Sequence, residues 1–285
     1  MINQSNLYYE RMHRSLKDKF QLLAYLPKNT DHVIDVGGSD GAMASKLKGM
    51  QVSKIDVVDA AKEAIKKIEH IDGIRAIHAY ADEIDDEDKM PDLDPVDAII
   101  ASSVIHEIFS YGNREGNRGK ISNVDEFFAA AHDRLRVGGR LLIRDGIRPL
   151  GEATQAMVIE NGSEYVKKFK KASPFVTQGE HIDDPDRVIN VKVKDNGAIT
   201  GSRSSLFEIL FTWNWGEESF DREVLEFYGV FTKDEMIGLG AKHGFFLVDH
   251  YSYIQKEYTR IWNEKGVRLS FPYPDTNALW IFEKR

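Results

Sequence analysis

Between Asp35 and Gly41 the chain reads Asp-Val-Gly-Gly-Ser-Asp-Gly, an acidic residue followed by three glycines. The surrounding segment, VIDVGGSDGAMA, leads from an apolar run into a helix-forming stretch. In that position glycines let a ligand approach the backbone amides at a helix N-terminus. The spacing from Asp35 through Gly37 to Gly41 is D-x-G-x-x-x-G, which departs from the G-x-G-x-x-G of a dinucleotide fingerprint and weakens a nicotinamide reading. Gly41 has the alternative role of close helix–strand packing. A second group of reactive side chains, His106, Glu107 and Tyr111, lies in SSVIHEIFSYG just after another apolar run. Imidazole titrates near neutrality and suits a general base, but a lone histidine can equally serve packing or a backbone hydrogen bond. The chain contains no cysteine, so disulfides, thiolate zinc sites and cysteine nucleophiles are excluded. No metal-ligating set is expected.

The elements that must position these groups alternate. Apolar runs at 32–36, 54–58, 75–80, 98–102 and 139–144 are separated by helical stretches at 42–48, 60–69 and 124–135. Such alternation means parallel strands joined by helical crossovers that cover both faces of the sheet. A leading helix is expected over 5–27, with Leu7, Tyr8, Met12, Leu16, Phe20 and Leu23 on its apolar side and Pro27 closing it. The pattern lapses from 148 to 230, where GEATQAMVIENGSEYVKKFKK reads helical, a polar middle follows, and SLFEILFTWNW is again apolar. Order returns with a helix at 232–243 and strands at 245–253 and 278–283, linked by a long connection holding at least one helical turn.

Composition narrows the setting. Of 285 residues, 42% are hydrophobic and 29% charged, and no run of about 18 apolar residues is present. A cytoplasmic protein with no membrane span is expected, because the N-terminus lacks the apolar stretch of a secretory signal. The formal charge of −8 argues against a broad nucleic-acid footprint. The acidic run DEIDDEDKMPDLD reads as a solvated loop.

The Asp35–Gly41 motif resembles the first motif of the class I S-adenosylmethionine-dependent methyltransferases, and further matches follow in register. VVDAA ends the second run with Asp59, YADEI the third with Asp82, DAIIASSVIHEI covers the fourth, and LRVGGRLLIRDG the fifth. KHGF followed by FLVDHYSYI and a last strand resembles the family's closing elements. The resemblance covers roughly residues 30–147 and 231–285. It implies a Rossmann-like α/β fold, doubly wound around a mostly parallel seven-stranded sheet, with an inserted lid or substrate subdomain. The corresponding division is a donor-binding core at 1–147, an insertion at 148–230 and a completing segment at 231–285.

S-adenosyl-L-methionine is then the implied cofactor, and its parts would find partners here. Asp59 would accept both ribose hydroxyls, with Ala60 beside it; its alternative is to cap the following helix. Asp82 would accept from the adenine amino group and Ala81 would offer backbone contact, unless Asp82 is merely solvated. Gly37 and Gly38 would admit the amino-acid tail, and Asp35 would hold its ammonium. Ser102 and Ser103, at the carboxyl edge of the sheet, would line the donor site. His106 and Glu107 lie near the expected methyl position and are candidate bases, with Tyr111 nearby. Methyl transfer itself chiefly demands alignment of the acceptor.

The acceptor is less legible. The loop GNREGNRGK, with Arg114, Arg118 and Lys120, is either an anion clamp or a mobile solvated loop. VKKFKK is either a second basic patch or a wet helical face. Asp145 could pair with Arg144 or Arg148. Phe211, Trp213, Trp215, Phe227 and Tyr228 form either an aromatic wall or an insertion core. The expected activity is therefore methylation of a small organic or nucleotide-like acceptor on oxygen or nitrogen. An RNA or tRNA methyltransferase and a catalytically silent donor-binding scaffold are the alternatives.

Overall fold

The structure is a computed structural model that describes residues 16–112, 117–151, 153–176, 182 and 184–285. Its main sheet has seven strands: β1 (His32–Val36), β2 (Lys54–Asp59), β3 (Arg75–His78), β4 (Val96–Ser102), β5 (Leu135–Asp145), β9 (Phe245–Tyr253) and β11 (Asn277–Lys284). Their spatial order is β3-β2-β1-β4-β5-β11-β9. The first five are parallel, and β11 runs antiparallel to both β5 and β9. The reversal of strand order at β1 and β4 opens a crevice at the carboxyl ends of those two strands, where open α/β sheets bind ligands.

Each parallel strand carries apolar side chains on both faces, because helices cover both. Ile34, Val36, Ile99 and Ala101 point into one core, while Val33, Val57, Ala98 and Ile100 point into the other. The crossovers are α2 (Ala42–Gly49), α3 (Lys62–Ile68), α4 (Ile105–Tyr111) and α5 (Ile121–Arg134). Beneath the sheet Asp56, fully buried, takes a two-pronged ion pair from Arg75 and a hydrogen bond with His32, which pins β1, β2 and β3 together.

The chain leaves this order after β5. A small second sheet, β10-β6-β8-β7, is antiparallel and built from β6 (Gln155–Val158), β7 (Val191–Val193), β8 (Ile199–Gly201) and β10 (Arg268–Leu269). It is flanked by α6 (Gly162–Ala172) and α7 (Arg203–Asn214), whose start Ser202 caps by accepting from the Ser205 amide. Short α8 (Phe220–Glu223) and then α9 (Lys233–Lys242) lead back to the main sheet. At the base of this excursion the Arg148 amide donates to the Phe231 carbonyl at 2.8 Å and the Arg148 guanidinium pairs with Glu235, so the excursion returns to the point where it left. Between β9 and β11 lies α10 (Lys256–Glu264), followed by β10.

Three readings of the sequence are corrected here. The stretch expected to be helical from 151 begins instead with β6, because Asn161 turns the backbone left-handed (φ 52°) and the helix starts only at Gly162. The leading helix, within the described residues, is a single turn α1 (Leu16–Lys19) that tightens to a 3-10 helix over Phe20–Tyr25; Leu7, Tyr8 and Met12 lie outside them. Finally, the connection between the closing strands does more than link them, since β10 completes the second sheet by pairing with β6. No helix among the described residues is long and apolar enough to cross a membrane.

Candidate active site

The glycine turn joins β1 to α2 and brings the two central strands' ends together. The Gly37 amide donates to the Val58 carbonyl at 2.8 Å. Gly37 has φ +70°, and a Cβ there would lie 2.5 Å from the Val104 side chain, at the start of α4. At Gly38 a Cβ would meet Val57 Cγ1 at 2.3 Å and Asp35 Oδ2 at 2.9 Å. Both positions therefore exclude side chains and keep the backbone open. At Gly41 the backbone is left-handed and a Cβ would lie 2.7 Å from the Ile71 side chain, so the position is also constrained by helix packing.

Asp35 is buried, and its Oδ2 has no hydrogen-bond partner among the described residues. Burial pushes its carboxyl up to about 7, against the attraction of Lys19 and with added repulsion from Asp59 and Asp40. Asp59 accepts the Ser39 amide on one oxygen at 3.0 Å and the Ala61 amide on the other at 2.8 Å. Since Ala61 caps α3, Asp59 ties the glycine turn to that helix start, yet each oxygen retains a second acceptor site. Burial raises its pKa in spite of the two amides. Ala60 is exposed, and its carbonyl lies 3.1 Å from His78 Nε2. Ala81 and Asp82 sit after β3 in a 3-10 turn, Ala81 buried and Asp82 partly so.

Along the same edge, β4 ends at Ser102, whose buried hydroxyl has no partner. Ser103 adopts φ +60°, and its amide donates to the Arg144 carbonyl at 2.7 Å. Its hydroxyl accepts from the Arg144 guanidinium, which also donates to the Tyr253 hydroxyl. Asp145 does not pair with either neighbouring arginine. It instead accepts the amides of Ile105 and Gly146, and lies 2.6 Å from His106 Nδ1. Arg148 is held away by Glu235.

His106 and Glu107 line a cavity of about 910 Å³ that opens from this edge, together with Ser103, Asp145 and Tyr228. His106 is fixed between two carboxylates, with Glu226 Oε2 3.6 Å from Nε2. Asp145 and Glu226 hold its pKa well above the usual value although burial opposes them. Tyr111 donates to Glu226 at 2.9 Å. Glu107 has no hydrogen bond or ion pair with any described residue; burial and the repulsion of Glu226 push its carboxyl up to about 8. Glu223, also buried, pairs with Arg222 and accepts the Tyr228 hydroxyl, and burial brings it to about 7.

The sequence reading did not single out Glu223, Glu226 or Lys19. Lys19 of α1 is buried, lines the cavity and is lowered to about 8 by burial and by Arg144. Of the proposed aromatic wall, Phe211, Trp215 and Tyr228 line the cavity, while Phe227 packs in the core against Phe109 and Phe175 and Trp213 borders a separate pocket. Among the described residues of the two basic segments, Lys168 pairs with Glu217 and Arg118 lies over the Tyr111 ring. Arg114 falls outside the described residues.

No family model matches the chain, and no curated protein matches it by sequence. Solved structures do match. An S-adenosylmethionine-dependent methyltransferase from Mesorhizobium loti aligns over 93% of this chain and 96% of its own, at 13% identity and a TM-score of 0.52. One from Archaeoglobus fulgidus aligns over 95% and 94%, at 12% identity and 0.51. A chain from the complex of the Haloferax volcanii Trm112 methyltransferase activator with a methyltransferase aligns over 98% and 96%, at 10% identity and 0.52. The fold is that of the class I S-adenosylmethionine-dependent methyltransferases.

Proposed function

We propose that this chain is an S-adenosylmethionine-dependent methyltransferase that modifies a small organic or nucleotide-like acceptor held in the 910 Å³ cavity. The observation that carries this reading is the side-chain-free turn at Gly37 and Gly38, set against a buried Asp35 oxygen with no partner. A buried carboxyl in that condition is stabilised by a cation, and a donor's ammonium is one. The second acceptor sites of Asp59 suit a ribose, and Asp82 is in register for the adenine. Bound S-adenosylmethionine supplies an activated sulfonium methyl.

The chain's own part is then positioning. Ser103 and the first turn of α4 lie between the glycine turn and the cavity, with Val104 against Gly37 and Glu107 in the cavity wall. Phe211, Trp215 and Tyr228, all from residues 148–230, line the cavity, which fits a lid or substrate role for that segment. His106 is bonded to Asp145 with Glu226 beyond its other ring nitrogen, and these carboxylates raise its pKa against the effect of burial, so both nitrogens are engaged within the protein. Glu107 is the better candidate for moving a proton. An RNA acceptor is disfavoured by the formal charge of −8, and no described residue of the two basic segments lines the cavity.

Calorimetric titration with S-adenosylmethionine, followed by a labelled-methyl assay on cell-extract fractions, tests the proposal. Binding with a labelled product supports it. Binding with no labelled product in any fraction favours a scaffold role, and no binding overturns the reading.

A further inference from the structure

The cavity is lined by acidic, basic and aromatic side chains together, and one of its carboxylates stands apart from the rest. Glu107, Glu223 and Glu226 all face it, yet Glu107 alone has no hydrogen bond or ion pair among the described residues. The aromatic side chains of Phe211, Trp215, Tyr228 and Tyr258 line the same space. Carboxylates beside aromatic faces form a setting that recognises cations, since both the charge and the ring quadrupoles attract them. Basic groups line the cavity as well: Arg222 pairs with Glu223, Arg260 with Glu264, Arg144 donates to Ser103 and Tyr253, and Lys265 lies over the Trp213 ring.

We propose that the acceptor is an amine that enters this cavity as a cation, and that Glu107 takes its proton so that nitrogen becomes the methylated atom. The assignment rests on the methyltransferase reading above and adds to it the acceptor class and the base. Glu107 sits where such a group is needed. The charges of Glu226, Arg222, His106, Asp59 and Lys19 act on it, and it lines the cavity one position after His106. A cation brought beside Glu107 relieves the repulsion of Glu226 and leaves Glu107 ionised, ready to accept a proton.

The step balances. The ammonium gives one proton to the Glu107 carboxylate, and the freed nitrogen lone pair forms the new N–C bond as the C–S bond breaks with its electrons remaining on sulfur. The product leaves as a methylated ammonium, and the proton on Glu107 passes to solvent, so each turnover releases one proton.

The test uses the full chain saturated with S-adenosylhomocysteine, whose binding is first measured by calorimetry. A panel of small primary amines, with aliphatic, arylalkyl and guanidino members, is then titrated beside neutral isosteres such as 2-phenylethanol for 2-phenylethylamine. At least one amine is expected to bind about tenfold or more tighter than its isostere. That preference should fall severalfold in Glu107→Gln, and the same variant should lose the alkaline rise in labelled-methyl transfer to that amine. If S-adenosylhomocysteine binds and no amine exceeds its isostere, or the preference survives in both Glu107→Gln and Glu226→Gln, the amine assignment is overturned while the methyltransferase reading stands. If S-adenosylhomocysteine itself does not bind, the reading beneath it fails.

Discussion

His106 Nδ1 lies 2.6 Å from Asp145 Oδ1, a bond that ties the first turn of α4 to the end of β5 and fixes the imidazole over Tyr228, with ring centroids 5.2 Å apart. The carboxylate on one ring nitrogen and Glu226 near the other make the protonated ring the stable form. By NMR, the His106 ring should titrate above the ordinary histidine value of about 6.5, and Asp145→Asn should lower its midpoint. The associated stability is fully present below the unfolded-state value and is lost as the pH rises through the folded one. A His106 midpoint at or below the ordinary value would contradict this geometry.

Gly38 is the tightest point of the glycine turn, with the added Cβ 2.3 Å from Val57. Gly38→Ala should destabilise the fold by about 1–3 kcal/mol through overpacking and should abolish measurable donor binding at concentrations that saturate the wild type. Gly197→Ala is the comparison, since its φ is +80° but nothing lies within 4 Å. It should lose stability through backbone strain alone and keep donor affinity. Chemical denaturation and calorimetry measure both.

Asp35 governs how donor affinity depends on pH. Its carboxyl is brought to about 7 by burial, and a donor ammonium requires it ionised. Affinity should therefore rise as the pH increases through about 7 and level off above it, while Asp35→Asn should bind weakly at every pH with the rise removed. A wild-type affinity that is flat across this range would show that Asp35 does not meet the ammonium.

Glu107 predicts a gain in stability. Its pKa is raised from 4.5 to about 8, so the folded state holds a proton that the unfolded state releases, and stability falls as the pH climbs between those values. Glu107→Gln removes that loss. The variant should match the wild type near the low end of that range and exceed it by on the order of 2 kcal/mol above the high end, after allowing for screening in the cavity. Thermal unfolding at the two pH extremes measures this. A variant less stable than wild type at the alkaline end would mean that Glu107 has a partner in the folded state.

Much of the central sheet was legible because its strands are short, mostly apolar runs with helices on both sides, as at Ala98–Ala101. The positions of Gly37, Gly38 and Asp59 in the fold were legible for a related reason: they lie at strand ends that the runs define. Glu223 and Glu226 were not, since acidic residues in EESFDREVLEFYG look like any solvated charge run, and only tertiary contact with His106, Tyr111 and Tyr228 buries them. The second sheet escaped notice because β6 and β10 are short and pair across more than one hundred positions of sequence, as Arg268 does with Val158. Lys19 reads as the polar side of an amphipathic helix, and only the tertiary fold buries it, within reach of the charges of Arg144 and Asp35.

The central claim is that the turn from Asp35 to Gly41 and the end of β2 together hold a methyl donor, and Asp59 is its most exposed point. Calorimetric titration of S-adenosylmethionine into the wild type and Asp59→Ala tests it most directly. Losing a charged hydrogen-bond acceptor should weaken binding by about 1–3 kcal/mol, roughly 5- to 150-fold in Kd, with the folded state otherwise intact by circular dichroism. Unchanged affinity in Asp59→Ala, or no binding by the wild type, would contradict the account.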